Sequence, residues 1–113
     1  MKQIKAIVRR QKADEVLRAL GDIEGLPGVM ISEMRGFGKG RSRVSPEKAP
    51  DGPFMSVERT KLEMVVADDQ VEKVLETIGR VAHTGSTGDG KVFVIPVEDC
   101  LKIRTGERGE AAL

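Results

Sequence analysis

The stretch IKAIVRRQKADEVLRALG, residues 4–21, decides the fold of this chain, because its pattern returns 58 positions later. Residues 62–79, LEMVVADDQVEKVLETIG, again place a short apolar run before apolar residues at helical spacing. In the second copy these residues recur at i, i+3, i+4 and i+7 as Val71, Val74, Leu75 and Ile78. Each half of the chain therefore predicts a strand followed by a helix that buries one apolar stripe.

A second strand is predicted after each helix, near residues 29–34 and near residues 92–97. Right-handed crossovers then place both helices on one face of a four-stranded antiparallel sheet. We predict an α+β fold, a ferredoxin-like βαββαβ sandwich in one domain over residues 1–113, with a protruding mobile loop at about 38–57 and a tail at about 102–113. Asp14, Asp68 and Asp69 are predicted to cap the helix starts and to favour the positive end of each helix dipole.

The sheet face opposite to the helices is predicted to be bare. We expect it to carry Ile7, Val65 and Val94, which would form an exposed apolar patch on a small domain. Closed self-association is the simplest way to cover such a patch.

The composition excludes several classes of function. With 19 basic and 18 acidic residues, no Trp, no Tyr and three Phe, the chain lacks the basic excess and the stacking aromatics of a nucleic-acid binder. No stretch approaches the ~20 apolar residues of a membrane span, and no signal peptide is evident, so we expect a cytoplasmic protein that does not insert into membranes. One Cys and one His allow no intramolecular disulfide and no zinc-ligand set.

The segment between the two halves is predicted to contact a partner. Residues 39–53 show neither helical nor strand periodicity, and their four basic and two acidic residues give a net charge of +2 that favours an anionic ligand or partner. Long connections without structure of their own are usually functional or disordered, and a functionless insertion is the alternative.

The glycine-rich stretch TGSTGDGK, residues 84–91, is predicted to bind an anion or to be a plain turn. Closely spaced glycines let successive backbone N–H groups converge on phosphate oxygens, and Lys91 adds a charge. Lys102 and Arg104, at i and i+2, are predicted to project from one face of an extended segment, as a phosphate-binding pair or as a solvated strand face. No Ser-His-Asp set is present, so we do not predict an enzyme.

The whole chain resembles the PII nitrogen-regulatory signal-transduction proteins. The most specific stretches are TGSTGDGKVFVIPVE, residues 84–98, and IRTGERGE, residues 103–110; the opening IKAIVR, RGFG at residues 35–38 and KLEMVV at residues 61–66 also match. The resemblance implies a homotrimer with ATP or ADP bound between subunits, and a loop, here 39–53, that docks onto a target protein, a membrane transporter or an enzyme. The nucleotide-binding residues that it implies are Gly36, Phe37, Gly38, Lys39, Glu63, Val65, Thr84, Gly85, Gly88, Asp89, Gly90, Lys91, Lys102 and Arg104.

Several positions depart from the family pattern. Lys39 replaces a phosphate-contacting Arg, Gly40 replaces a Gln that helps hold Mg-ATP and 2-oxoglutarate, and Arg59 replaces a Lys that meets 2-oxoglutarate. A chain without Tyr also lacks the tyrosine that is modified in the family. We therefore favour ATP and ADP as effectors over 2-oxoglutarate and Mg. The alternatives are a nitrogen regulator that responds to 2-oxoglutarate and controls ammonium uptake or nitrogen assimilation, and a slow ATPase in which Glu63 positions water.

Overall fold

The computed structural model describes residues 1–37 and 57–113. Its four strands and two helices follow one another as β1 (Lys2–Arg9), α1 (Ala13–Gly21), β2 (Met30–Gly36), β3 (Val57–Val66), α2 (Val71–Ala82) and β4 (Gly90–Pro96). The strands form one antiparallel sheet in the order β2-β3-β1-β4, with both helices on one face. The ferredoxin-like sandwich predicted from the repeat is therefore confirmed.

Strand boundaries differ slightly from those expected. β2 continues to Gly36, β4 begins earlier at Gly90, and Val57, at the end of the predicted loop, begins β3. The rest of that predicted loop, including residues 39–53, lies outside the described residues.

Alternation along the two central strands builds the core. Ile4 of β1 pairs with Met64 of β3, and Ala6 pairs with Leu62, so that these side chains share the face beneath the helices. They pack against the buried stripes of α1 and α2, which include Val16, Leu20, Val74 and Ile78. The apolar spacing read from the repeat thus corresponds to the buried surfaces of both helices.

The aspartates do not cap the helices as predicted. A short 3-10 turn precedes each helix, so Lys12 and Gln70 occupy the N-cap positions, and neither makes a side-chain capping hydrogen bond. Asp14 lies in the first turn of α1, where its charge favours the positive end of the helix dipole. Asp68 lies in the preceding turn of α2 and accepts a hydrogen bond of 2.9 Å from the Met1 ammonium. The chain enters each helix through a turn, and the N-cap positions differ from the predicted ones by one or two residues.

The open face of the sheet is only partly as expected. The pairing of Gln3 with Val65 and of Ile7 with Lys61 places Ile7 and Val65 opposite to the helices. Val94 pairs with the buried Ile4 and therefore lies on the helix side, which corrects its predicted position. Phe93, one residue earlier, lies on the open face and is 48% exposed. Within the described part of the chain, no helix is long and apolar enough to span a membrane.

Candidate functional site

The glycine-rich loop of residues 84–91 lies where β1 ends and β4 begins, because Gly90 pairs with Val8 near the end of the sheet. Gly85, Gly88 and Gly90 have positive φ values of 86°, 100° and 100°. A Cβ on Gly90 would lie 1.8 Å from the carbonyl oxygen of Ile7, so only glycine fits there. The loop is thus pressed against the backbone of β1.

The carboxylate of Asp89 holds this loop together from inside. Oδ2 accepts hydrogen bonds from the backbone N–H groups of Thr84 (2.8 Å) and Gly85 (2.9 Å), and Oδ1 accepts one from the Thr84 hydroxyl. Arg9 donates from Nε to Oδ1 at 3.0 Å and from Nη2 to the carbonyl of Thr87 at 2.9 Å. The hydrogen bonds from Thr84, with those from Gly85 and Arg9, hold the pKa of Asp89 well below its usual range.

This geometry changes the interpretation of the predicted anion cradle. Successive N–H groups do converge, as the glycines suggested, but those of Thr84 and Gly85 converge on Asp89 and not on an open site. The Ser86 N–H is donated to the Thr84 hydroxyl at 3.2 Å. Among the described residues, no hydrogen bond is donated by the N–H of Gly88. The N–H groups of Thr84, Gly85 and Ser86 are therefore used within the loop, whereas the N–H of Gly88 remains available for an anion.

Two arginines face each other beside Gly88. Arg9 of β1 pairs directly with Arg59 of β3, and a Cβ on Gly88 would lie 2.8 Å from Nη2 of Arg59. Burial of its side chain and the nearby charge of Arg9 lower the pKa of Arg59. Asp89 neutralises Arg9, whereas Nη1 of Arg59 donates to the carbonyl of Glu58 at 3.0 Å. Arg59 thus brings positive charge to the glycine loop.

Arg9 is a residue of this site that the sequence patterns did not single out. Its odd-numbered position on β1, among the residues that alternate away from the core, is the only sequence signal that places it on the open side. Its partner Asp89 is 80 residues away in the chain, so the contact itself has no local signature.

The other predicted site residues include two on β2 or directly after it, two on β3, and two outside the described residues. Gly36 pairs with Val57 at the same end of the sheet as Arg59, and Phe37 follows it with 63% of its surface exposed. Glu63 and Val65 lie further along β3 on the open face. Gly38 and Lys39 lie outside the described residues.

Glu63 is engaged by two neighbours on the open face. Its carboxylate accepts a hydrogen bond of 2.8 Å from the Gln3 amide and lies 3.1 Å from the Lys61 ammonium. Both carboxylate oxygens of Glu63 are thus engaged by side chains of the same sheet face.

Lys102 and Arg104 lie in a turn, which corrects the extended segment predicted for them. The carbonyl of Lys102 accepts hydrogen bonds from the N–H groups of Thr105 (3.3 Å) and Gly106 (2.8 Å), which closes the turn. β4 starts at the glycine loop and ends at Pro96 opposite Lys2, so the chain enters this C-terminal segment from the other end of the sheet. Within one chain these two cations therefore lie away from the glycine loop, and the family resemblance instead implies a position at the loop of an adjacent subunit.

Among the described residues at this end of the sheet no metal-ligand cluster is found, and a cavity of about 450 Å³ is lined by Arg10, Glu33, Met34, Arg35 and Glu58. Over residues 1–37 and 57–113, no three His, Cys, Asp or Glu side chains are grouped so that they could hold a metal ion. A cavity of about 220 Å³ is lined by residues that include His83, Asp89, Gly90 and Lys91. That volume is below the roughly 300–1,000 Å³ of sites that enclose small-molecule ligands.

Comparisons with known proteins agree on one family. The family described as "Nitrogen regulatory protein P-II" matches residues 1–107. The nitrogen regulatory protein P-II of Azospirillum brasilense is 40% identical over 113 residues, which cover 100% of both chains. The homolog from Arabidopsis thaliana is 45% identical, over 97% of this chain and 56% of that protein. A crystal structure of Arabidopsis thaliana PII bound to citrate superposes with a TM-score of 0.79 at 43% identity, covering 99% of this chain and 91% of that one.

Proposed function

The chain belongs to the family of nitrogen regulatory proteins P-II, and from this membership we propose that it senses adenine nucleotides and regulates a target protein. ATP or ADP would bind between the subunits of a homotrimer. The target, a membrane transporter or an enzyme, would be contacted through residues 39–53. Regulatory proteins of this family act by binding, and we propose no catalytic reaction for this chain.

The observation that carries the proposal is the end of the sheet where the glycine loop meets two arginines. Gly90 presses the loop against Ile7, the N–H of Gly88 is left as a donor, and Arg59 and Lys91 supply positive charge nearby. Backbone donors fixed by positive-φ glycines, together with cations, are what a phosphate group requires. A nucleotide phosphate therefore suits the second half of this loop.

The described part of one chain supplies only a portion of such a site. Its cavity at the loop is small, and Lys102 and Arg104 lie on a segment that leaves the sheet at the opposite end. The open sheet face, with Phe93 48% exposed and Met30 67% exposed, provides a surface for a second copy. Cyclic association would cover this face and bring one subunit's C-terminal turn to another's glycine loop.

The contacts of Glu63 argue against the alternative of a slow ATPase. A residue that positions water needs a free acceptor oxygen facing the ligand, whereas Gln3 occupies one oxygen of Glu63 and Lys61 the other. Glu63 is better suited to stabilising the sheet face.

A second candidate function is favoured by one comparison. The Arabidopsis PII structure was solved with citrate, a polycarboxylate, and the guanidinium of Arg59, which lies beside Gly88, is suited to a carboxylate. A nitrogen regulator that also responds to 2-oxoglutarate would use this chemistry. Titration of ATP in the presence and absence of 2-oxoglutarate separates the two functions, because coupling between two ligands is reciprocal.

Calorimetry tests the nucleotide proposal, and it suits a chain without Trp or Tyr. ATP and ADP should bind to the wild-type protein, and Arg104→Ala should weaken ATP binding by about 1.5–3 kcal/mol through the loss of a charged phosphate contact. Arg80→Ala, an equal loss of charge at an exposed position of α2, is the matched control and should bind as the wild type does. Equal affinities for all three proteins would remove Arg104 from the site.

A further inference from the structure

The carboxylate of Asp89 lies in the glycine loop itself, and its hydrogen bonds come from the loop and from Arg9 of β1. Oδ2 is shared by the N–H groups of Thr84 and Gly85, while Oδ1 is shared by the Thr84 hydroxyl and Nε of Arg9. We call these four residues the Asp89 clamp. The side chain of Asp89 is 24% exposed, and that of Arg9 is 18% exposed.

We propose that Asp89 is a positioning residue, which holds the glycine loop in its binding shape and does not itself contact the nucleotide. This inference rests on the proposed function, and it gives Asp89 a different role from the direct nucleotide contact that the family resemblance implies. A carboxylate cannot donate a hydrogen bond to a phosphate when it is ionised, and the clamp keeps it ionised. The negatively charged carboxylate instead accepts the hydrogen bonds of the Thr84 and Gly85 N–H groups within the loop.

The clamp also fixes where the loop lies relative to the sheet. Arg9 spans Asp89 Oδ1 and the Thr87 carbonyl with two nitrogens of one planar guanidinium, so the loop is anchored on both sides of Gly88. Gly90 forms the third anchor through its close approach to Ile7. With these anchors in place, the donors of the second half are ordered before a ligand arrives, which lowers the entropic cost of binding.

Other charged groups near Asp89 do not replace the clamp. Nδ1 of His83, from the end of α2, lies 3.8 Å from Oδ2, beyond hydrogen-bond distance. Arg59 of β3 approaches Gly88 and donates to its own neighbour Glu58. Arg9 is therefore the one charged hydrogen-bond partner of Asp89 among the described residues.

The direction in which ATP affinity changes in Asp89→Asn distinguishes a positioning role from direct contact with the phosphates. If Asp89 faced the phosphates, Asp89→Asn would remove a repulsion and tighten ATP binding. If Asp89 positions the loop, the same change places an amide donor where N–H donors already converge, and ATP affinity should fall on the order of tenfold, about 1.4 kcal/mol. Asp69→Asn, the same chemical change at an exposed position at the other end of the sheet, is the matched control and should leave affinity unchanged.

A comparison of ligands with and without phosphate groups distinguishes a positioning role of Asp89 from a general loss of stability. Asp89→Asn should weaken binding of ATP and of tripolyphosphate while leaving adenosine affinity near the wild-type value, since only the phosphate-binding loop changes. Arg9→Lys keeps the charge and loses the second nitrogen of the anchor, so it should weaken ATP binding in the same direction even if Asp89→Asn fails to fold. An equal loss for adenosine and ATP, or tighter ATP binding, would overturn the proposal.

Amide hydrogen exchange tests the clamp without any nucleotide. In the wild-type protein the N–H groups of Thr84 and Gly85 should exchange slowly, and in Asp89→Asn they should exchange faster while α2 and the strands are unchanged. If the wild-type protein fails to bind ATP, the proposed function fails, and this measurement still decides the clamp. Unchanged exchange at both residues in Asp89→Asn would overturn it.

Discussion

Replacement of Gly90 by Ala should be among the most destabilising single changes in this protein. A Cβ at this position would lie 1.8 Å from the Ile7 carbonyl oxygen and 2.9 Å from its carbon, both backbone atoms that no side-chain rotation can move. Relief requires β1 and β4 to separate by roughly 1 Å at the pair of Val8 and Gly90. The φ of +100° adds backbone strain of about 1–3 kcal/mol for a non-glycine residue.

The two effects together should lower the free energy of unfolding by about 3–5 kcal/mol, since separating the strands also loses ladder hydrogen bonds worth about 1 kcal/mol each. Urea unfolding followed by far-ultraviolet circular dichroism measures this change, at one protein concentration for all variants.

Gly79→Ala is the matched control, because Gly79 lies within α2, has no positive φ, and has nothing within 4 Å of the position that an added Cβ would take. The same added methyl group should there increase the free energy of unfolding by about 0.5–1 kcal/mol through the higher helix propensity of Ala. A Gly90→Ala protein within 1 kcal/mol of the wild type, with an unchanged urea dependence, would refute the close approach to Ile7.

Three further predictions concern the core, the acid limit and the effectors. Leu62→Ala should lower the free energy of unfolding, measured with urea, by about 2–5 kcal/mol, because Leu62 is fully buried. Ile31→Ala, at a side chain of β2 that is 53% exposed, should lower it much less, and equal losses would contradict the assigned core. The pKa of Asp89 is lowered in the folded state, so the ionised carboxylate stabilises the fold at pH values above its unfolded pKa of about 3.9. This stabilisation is lost as the pH falls below that value. In acid titrations followed by circular dichroism, Asp89→Asn should therefore lose less stability than the wild type between about pH 5 and 2. Calorimetry should show little effect of 2-oxoglutarate on ATP affinity, and a tenfold tightening, about 1.4 kcal/mol, would instead support the 2-oxoglutarate-responsive regulator.

Much of the fold was predictable because its signals are local. The repeated pattern of residues 4–21 and 62–79 specifies a strand and an amphipathic helix by periodicity alone, and both copies adopt that structure. Val94 shows where this reasoning fails: the face that a strand residue occupies depends on its register with β1, and the apolar run at residues 92–95 gives no alternation from which to infer it.

The candidate site was predictable in its location and not in its internal contacts. Glycine spacing indicated a tightly turned loop at residues 84–91, and the positive φ values agree with it. That Asp89 would face inward depends on Arg9, which the antiparallel pairing of β1 with β4 places beside it. Likewise, the turn at Lys102 is closed by hydrogen bonds from Thr105 and Gly106, whereas the spacing of Lys102 and Arg104 at i and i+2 suggested an extended segment.

The sequence by itself determined the family, through motifs spread along the whole chain. It also determined the order of strands and helices and the buried stripe of each helix, because these follow from patterns within about 20 consecutive residues. Only the tertiary structure decided why Gly90 must be glycine and which anion occupies the first half of the loop. Both depend on atoms of β1, the Ile7 carbonyl and the Arg9 guanidinium, about 80 residues away along the chain. Such contacts exist only after β1 and β4 have paired, so no local pattern could specify them.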